Sequence, residues 1–355
     1  MKIKITTFFF GNNYGALLQC YYLKKYIKDN FLNKEISYSD YQPKKLIIKE
    51  ELLPIIKKNP FKVLDGLVRF KNLRKWKKKN IITKPIFQKK MNNQKKELSI
   101  YGSDEIWNFS NPFFGYDDFF FGKYDNNHKI SYAASFGSAK TTNIDIFLKD
   151  ELRNLLNKFS FLSVRDENSW NILKSEFNLN SEIVLDPTFL IEDYSDSLEA
   201  KNEEGKCVIY GNHFSKDQIE QIINYCKINK LKILSIGYYN DWTENNTRLN
   251  PFEFLAEIKK AKIIFTSMFH GIQFAVKYKK NFWYSRDPYR ANKLEYFLCK
   301  LNLKKRVINE NQDFNKEIDY ISFEDKLKNW KGFSKEFSIN FINSLNNEQY
   351  NKNRN

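Results

Sequence analysis

The chain has 355 residues, of which 42% are hydrophobic and 17% aromatic, and its formal net charge is +17. A chain of this length and apolar content builds large cores, so a disordered protein is excluded and two domains of ordinary size are predicted. The excess positive charge favours anionic partners, such as nucleic acids, anionic membranes or small anionic substrates. The four cysteines are scattered without a CxxC pair, which argues against a zinc site or a disulfide framework and fits a reducing compartment.

The beginning of the chain enters a strand-like run directly and lacks the pattern of a signal peptide. No apolar run approaches the ~20 residues that a membrane-spanning helix needs. We therefore expect a cytoplasmic protein, or one bound peripherally to the inner face of the cytoplasmic membrane.

In the first half, short β-rich runs alternate with amphipathic helical runs, a pattern typical of doubly wound α/β domains. The predicted strands of this half are 2–10, 35–38, 98–101, 129–134, 159–164 and 183–185. The predicted helices are 146–158, 167–176 and one that carries Leu17, Leu18, Tyr21, Tyr22 and Tyr26.

A basic insertion over about 44–96 interrupts this alternation, and its positive charge peaks at 74–79. Its apolar residues fall close to helical spacing; they are Phe61, Leu64, Leu67, Val68 and Trp76. Such a pattern resembles an interfacial amphipathic helix on an anionic leaflet. A solvated, lysine-rich helix face is the alternative.

A polar, acidic stretch over 192–205 is interpreted as an interdomain connector. A second α/β alternation follows it. The predicted strands are 207–210, 232–236, 262–265 and 282–284, and the predicted helices are 216–227, 251–260, 271–278 and 323–345. We therefore predict an α/β domain over 1–190, a second over 205–320, and a helix with a tail over 321–355. Ligands of such domains bind at the carboxyl ends of the strands.

Three segments place chemically capable side chains just after predicted strands. His270 follows a strand and precedes Gly271, which is predicted to open a helix whose N-terminus could bind an anion; a helix-capping or core histidine is the alternative. Asp104 could act as a general base, or either Ser103 or Asp104 could cap a helix. Arg165 suits phosphate or carboxylate recognition, or could pair with a nearby acid such as Glu167.

The glycine-containing loop over 11–16 is a weaker signal. Its spacing matches neither the dinucleotide-binding fingerprint nor a P-loop, so on its own it is better interpreted as an ordinary strand–helix turn.

Taken in order, six segments resemble the polysaccharide pyruvyltransferase family. They are Asn12-Asn13-Tyr14-Gly15-Ala16, Gly102-Ser103-Asp104 with Trp107-Asn108, 132–137, Ser163-Val164-Arg165, Leu185-Asp186-Pro187-Thr188, and Thr266 to Gly271. The resemblance spans residues 2 to about 294. It implies two Rossmann-like domains that face a cleft in a glycosyltransferase-B-like arrangement, with the acceptor side in the first domain and the donor side in the second. It also implies transfer of a pyruvyl group from phosphoenolpyruvate to a sugar, without a metal or a cofactor.

The same resemblance assigns roles to His270 and Arg165, and the other roles that we expect come from the residue types beside the six segments. His270 matches the family's essential histidine, and we expect Asp104 to act with it as a catalytic base. Donor contacts are expected from Arg165, Gly271, Ser267, Arg286, Arg290 and Lys293. The last three of these are invoked because Met268 stands where one branch of the family has an arginine. Acceptor contacts are expected from Asn12, Asn13, Tyr14, Trp107 and Asn108.

The expected partners are phosphoenolpyruvate and a glycan or lipid-linked oligosaccharide acceptor, with an anionic membrane surface as a further candidate. A glycosyltransferase that uses a nucleotide-sugar donor on the same architecture is the main alternative, and a non-catalytic sugar-binding homologue is another. Nucleic acid is not expected, because the basic run lacks zinc-finger, RNP or helix-turn-helix patterning.

Overall fold

A computed structural model describes most of the chain. The described residues are 2–9, 11–31, 34–48, 60–81, 89, 97–112, 114–142, 144–191, 205–286 and 291–352. Except for Gly205, the predicted acidic connector over 192–205 therefore lies outside the described residues, as does much of the basic insertion.

The first half contains a five-stranded parallel sheet with the strand order β2-β1-β3-β4-β5. Its strands are β1 (Lys2–Thr6), β2 (Glu35–Tyr38), β3 (Glu97–Tyr101), β4 (His128–Ser131) and β5 (Phe159–Phe161). A short parallel pair, β6 (Ser163–Val164) and β7 (Glu182–Ile183), continues it through a bridge between Ala134 and Val164. The strand order reverses between β1 and β3, and the crevice at such a switch point is where doubly wound folds bind ligands.

Helices connect these strands. They are α1 (Tyr14–Asn30), α2 (Lys44–Ile47), α3 (Pro60–Asn80), α4 (Ile146–Leu156) and α5 (Glu167–Asn171). The side chain of Asn13 caps α1 by accepting hydrogen bonds from the backbone of Gly15 and Ala16, and Asp145 caps α4 in the same way.

The second half forms another five-stranded parallel sheet, with the order β10-β9-β8-β11-β12. Its strands are β8 (Lys206–Tyr210), β9 (Lys232–Ile236), β10 (Glu244–Asn246), β11 (Ile263–Thr266) and β12 (Asn281–Tyr284). The helices are α6 (Lys216–Ile228), α7 (Pro251–Lys260), α8 (Phe269–Lys277) and α9 (Ala291–Lys300). The central strands β8 and β11 are apolar and buried on both faces, as expected for strands covered by helices on either side. The predicted α/β architecture with two Rossmann-like sheets is thus confirmed.

The last helix, α10 (Glu324–Lys352), returns to the first half of the chain. The Trp330 indole donates a hydrogen bond to the Ile183 carbonyl at 3.1 Å, and the Ser334 hydroxyl accepts one from the backbone of Leu185 at 2.9 Å. The C-terminal helix is therefore part of the fold of the first sheet, although it follows the second in sequence.

Helix α3, the described part of the basic insertion, packs against both halves. The Trp76 ring contacts Tyr21 of α1 and Phe252 of α7 at centroid distances of 5.8 and 5.4 Å. Leu73 is also buried, and Asp65 pairs with Arg248 of the second half at 2.6 Å. The prediction that Trp76 faces a membrane is wrong, because its ring is buried within the protein.

None of the described helices combines the length and the apolar character that crossing a bilayer requires.

Candidate active site

His270 lies in the first turn of α8, at the carboxyl end of β11. The Thr266 hydroxyl donates a hydrogen bond to the Tyr210 carbonyl at 2.6 Å and accepts one from the Met268 backbone at 3.0 Å, which fixes the start of the helix. A Cβ on Gly271 would lie 2.2 Å from the Thr266 hydroxyl, so this position requires glycine. The predicted helix start at Gly271 is wrong by two residues, because α8 already begins at Phe269.

The His270 imidazole lies against the first half of the chain. A Cβ built on Gly15 would come within 2.1 Å of the imidazole Nδ1, so the first turn of α1 touches the ring directly. At the other end of α8, Lys277 donates hydrogen bonds to the carbonyls of Thr188 and Ile191. Helix α8 is therefore held at both ends by residues of the first half, and His270 sits at the contact between the halves.

Asp186 links His270 to Arg165. Its carboxylate Oδ2 lies 3.2 Å from Arg165 Nη1 and 3.6 Å from His270 Nε2, and its Oδ1 accepts hydrogen bonds from the backbone and the hydroxyl of Thr188. Burial opposes ionisation of this carboxyl, but His270 and Arg165 outweigh it and lower the pKa of Asp186 to about 2. Asp186 belongs to a segment that supports the family resemblance, yet the sequence assigned it no role.

Arg165 follows β6 and is paired with two carboxylates. Its Nη2 lies 3.0 Å from Asp104 Oδ1, its Nη1 bonds to Asp186, and its guanidinium lies 4.9 Å from the centre of the Phe269 ring. The ion pair anticipated with Glu167 is thus replaced by pairs with Asp104 and Asp186. The side chain is only 2% exposed. Its charge is compensated within the protein, so direct binding of a donor anion by Arg165 stays a prediction that requires one carboxylate to move.

Asp104 is the most accessible carboxylate of this group, with a side-chain exposure of 15%. Its φ of +82° lies in the left-handed region, a strained conformation for a non-glycine residue that is common at functional sites. The strand-like bridge of Asp104 to Ala134 and the hydrogen bond from the Ser135 backbone to the Asp104 carbonyl hold it there. No helix forms over residues 103–108, so the alternative of a helix capped by Ser103 or Asp104 is wrong.

The predicted acceptor residues of the first loop have structural partners. Tyr14 reaches into the second half, where its ring stacks on Phe254 at 4.7 Å and its hydroxyl donates a hydrogen bond to the Leu249 carbonyl at 2.7 Å. Asn13 caps α1, and the Asn12 carbonyl accepts a hydrogen bond from Arg69 at 2.8 Å. Tyr14 thus joins the two halves, while acceptor binding by this loop stays a prediction.

The predicted sugar platform at Trp107 is contradicted by its burial. The ring is fully buried, its indole nitrogen donates a hydrogen bond to the Phe120 carbonyl at 3.0 Å, and aromatic rings surround it. Asn108 is also buried, and its amide bonds to Glu105 at 3.1 Å. Neither side chain is placed to contact a sugar, because both are buried in the core of the first half.

The structure does not bring the remaining predicted donor residues together as one group. The buried Ser267 hydroxyl accepts a hydrogen bond from the His213 backbone at 3.3 Å, which holds the loop after β8 against the start of α8. Arg286 is exposed and paired with Glu295 at 2.5 Å. Arg290 and the side chain of Lys293 lie outside the described residues.

One cation at the contact between the halves was not anticipated as a site residue. Arg69 of α3 donates hydrogen bonds to the Gly237 carbonyl at 2.6 Å and the Asn12 carbonyl at 2.8 Å. No local pattern distinguishes this position, because Arg69 is one of many basic residues in the insertion. Within the described ranges, no cluster of three or more histidine, cysteine, aspartate or glutamate side chains could hold a metal ion.

Two structures of low sequence identity share this arrangement. One, from Listeria monocytogenes, is assigned to the UDP-N-acetylglucosamine 2-epimerases and has a TM-score of 0.52 at 11% identity, covering 98% of this chain and 97% of that chain. The other, the MnaA–UDP complex of S. aureus, has a TM-score of 0.51 at 13% identity, with coverage of 98% and 97%. These similarities concern the fold alone. They place the chain in the glycosyltransferase-B-like class of two-domain α/β proteins.

The sequence model of the polysaccharide pyruvyl transferase family matches residues 13–284. The chain belongs to that family. No match of comparable significance is found among proteins whose function has been curated.

Proposed function

We propose that the protein transfers a pyruvyl group from phosphoenolpyruvate to a sugar of a cell-surface polysaccharide or its lipid-linked precursor, and so forms a pyruvyl ketal. The observation that carries the proposal is the meeting of His270 with Asp186 at the contact between the halves. The family's histidine thereby comes close to Arg165, Asp104 and the first turn of α1, although the chain supplies these groups from five separate segments.

The chemistry needs one acid and one base. Protonation of the methylene carbon of phosphoenolpyruvate by solvent makes C2 electrophilic, and a sugar hydroxyl attacks C2 as its proton passes to Asp104, which returns it to solvent. The bond from C2 to the phosphate oxygen then breaks with proton donation from His270, and a second hydroxyl closes the ketal as its proton passes back to His270. Of the two hydroxyl protons, one balances the new methyl group and the other leaves with phosphate. General acid–base catalysis contributes about 10²–10⁴-fold for each such group.

Access to His270 requires movement between the halves. The imidazole is 8% exposed, with Nδ1 against Gly15 and Nε2 facing Asp186. A donor therefore reaches it only when the contact between α8 and the first half opens. Closure around the donor would then exclude water and bring the acid and base to the reacting atoms.

The test is a donor and acceptor assay. Purified protein is incubated with phosphoenolpyruvate and a panel of galactosides, glucosides and N-acetylmannosaminides, and phosphate release is measured together with the acceptor's mass. We expect phosphate release that depends on one acceptor, and a product carrying one pyruvyl group. Nucleotide release from a nucleotide sugar, with no reaction of phosphoenolpyruvate, would instead establish the glycosyltransferase alternative.

A lipid-linked acceptor predicts attraction to anionic membranes. Lys75, Lys78 and Lys79 are exposed on α3, whereas Trp76 and Lys77 of the same turns are buried. Each exposed lysine near an anionic surface contributes about 1 kcal/mol. Replacing all three with Gln should therefore reduce binding to phosphatidylglycerol vesicles by on the order of 100-fold at low salt. Unchanged cosedimentation of the triple variant would contradict membrane attraction by this helix; neutral phosphatidylcholine vesicles serve as the control.

A further inference from the structure

Among the described residues, the ion pairs around His270 include no cation that is left without a carboxylate partner. Arg165 and a protonated His270 carry two positive charges, but Asp104 and Asp186 offset them with two negative charges, which leaves no net positive charge for the donor. Phosphoenolpyruvate is doubly anionic, and bringing it beside two carboxylates is unfavourable unless another positive group compensates. Arg286 is exposed and already paired with Glu295. The compensating charge must therefore come from another cation at the contact between the halves.

Arg69 satisfies the positional requirement. Its two hydrogen bonds join Asn12, in the loop after β1, to Gly237, which directly follows β9. These are carboxyl ends of parallel strands in the two different sheets, the location where doubly wound domains bind ligands. The guanidinium also lies 5.2 Å from the centre of the Tyr14 ring, and Tyr14 adjoins Gly15, which touches His270.

The hydrogen bonding of Arg69 is incomplete. A guanidinium has five N–H donors; here two of them bond to neutral carbonyls, and the group also interacts with the Tyr14 hydroxyl. Its buried Nε has no hydrogen-bond partner among the described residues. By contrast, Arg153, Arg165, Arg248 and Arg286 each pair with a carboxylate. Arg69 thus brings a partly buried positive charge with spare donors to the cleft, and a planar, bidentate anion fits such a group.

We propose that Arg69 binds an anionic group of the donor, its phosphate or its carboxylate, in the cleft between the two sheets. This inference rests on the proposed function for the identity of the donor. It also gives the basic insertion a role: helix α3 places one arginine in the cleft, and the packing of Trp76 against Tyr21 and Phe252 fixes the helix at that position.

The experiment measures binding directly, by isothermal titration calorimetry of phosphoenolpyruvate, inorganic phosphate and pyruvate into wild type and three variants. Arg69→Gln should weaken phosphoenolpyruvate binding by about 10- to 100-fold, the range for a lost hydrogen-bonded ion pair. Arg69→Lys should lose less affinity, because the charge remains without the bidentate geometry. Arg74→Gln, an equal charge change at an exposed position of the same helix, should bind as wild type does. Weakened phosphate binding assigns Arg69 to the phosphate, and weakened pyruvate binding assigns it to the carboxylate.

A second measurement needs no variant. Phenylglyoxal modifies accessible arginines, and peptide mapping of the wild-type protein should show that phosphoenolpyruvate protects Arg69 while Arg74 still reacts. The proposal is overturned if Arg69→Gln binds phosphoenolpyruvate as tightly as wild type, if the wild-type protein binds none of the three probes, or if Arg69 gains no protection. The experiments distinguish a failure of the role of Arg69 from a failure of the proposed pyruvyl transfer. Ketal formation with unchanged binding by Arg69→Gln removes only the role of Arg69, whereas Arg69-dependent binding without any pyruvylated product removes only the transferase.

Discussion

Replacing His270 with Gln should reduce pyruvyl transfer by at least ~10²-fold, because glutamine fills a similar volume but cannot donate the proton that phosphate departure requires. The replacement must fill the volume of the imidazole, because the ring is packed at the contact between the halves. The imidazole packs against Gly15 and stacks near Phe274, so an alanine would leave a void at the contact between the halves. Steady-state phosphate release with saturating phosphoenolpyruvate measures the loss.

His128→Gln provides the matched control. His128 is exposed at the start of β4, the end of the strand opposite the candidate site, and its replacement should leave turnover unchanged. Circular dichroism should give both variants the unfolding temperature of the wild type within a few degrees. If His270→Gln turned over at the wild-type rate, the histidine would have no catalytic role.

Replacing Asp186 with Asn should destabilise the protein by about 3 kcal/mol, since it removes one of the two carboxylates that compensate a buried guanidinium. The loss of stability is expected to be this large because Asp186 and Arg165 are both buried. Glu295 pairs with Arg286 at only 2.5 Å, shorter than the 3.2 Å between Asp186 and Arg165, but both partners are exposed. Glu295→Gln should therefore cost less than about 1 kcal/mol. Chemical denaturation at neutral pH measures the free energy of unfolding of the two variants, Asp186→Asn and Glu295→Gln, against that of the wild type.

The pH dependence provides a second criterion for Asp186. Its pKa falls to about 2 in the folded protein, below the ~3.9 of an unfolded aspartate. The contribution of the ionised Asp186 to the free energy of unfolding is therefore complete above about pH 4 and is lost as the pH falls towards 2. The stability difference between wild type and Asp186→Asn should narrow over that interval. A difference that stayed constant from pH 5 to pH 2 would show that the charge of Asp186 is not what stabilises the site.

Local patterns predicted elements well where neighbouring residues determine them. Helix α7 occupies the predicted range, because Asn250 and Glu253 form a capping box and Pro251 begins the helix. Strand ends were less predictable, because a strand ends where its backbone no longer has a paired residue in an adjacent strand. The predicted strand over 2–10 ends at Thr6, the last residue with a ladder partner in β3. The predicted strand over 159–164 divides in two, because β5 pairs with β4 whereas β6 pairs with β7.

The order of chemically capable residues along the chain was enough to establish the fold class and the family, and to single out His270, Arg165 and Asp104 as residues that meet. The tertiary structure decided how they meet. Asp186 joins Arg165 to His270, Trp107 is enclosed by the core, and Arg69 bonds to both halves from a helix that resembled a membrane surface element. The physical reason is that a motif reflects backbone geometry and residue type at strand ends, which are local. Burial and charge compensation depend on which distant segments pack together, and no local pattern contains that information.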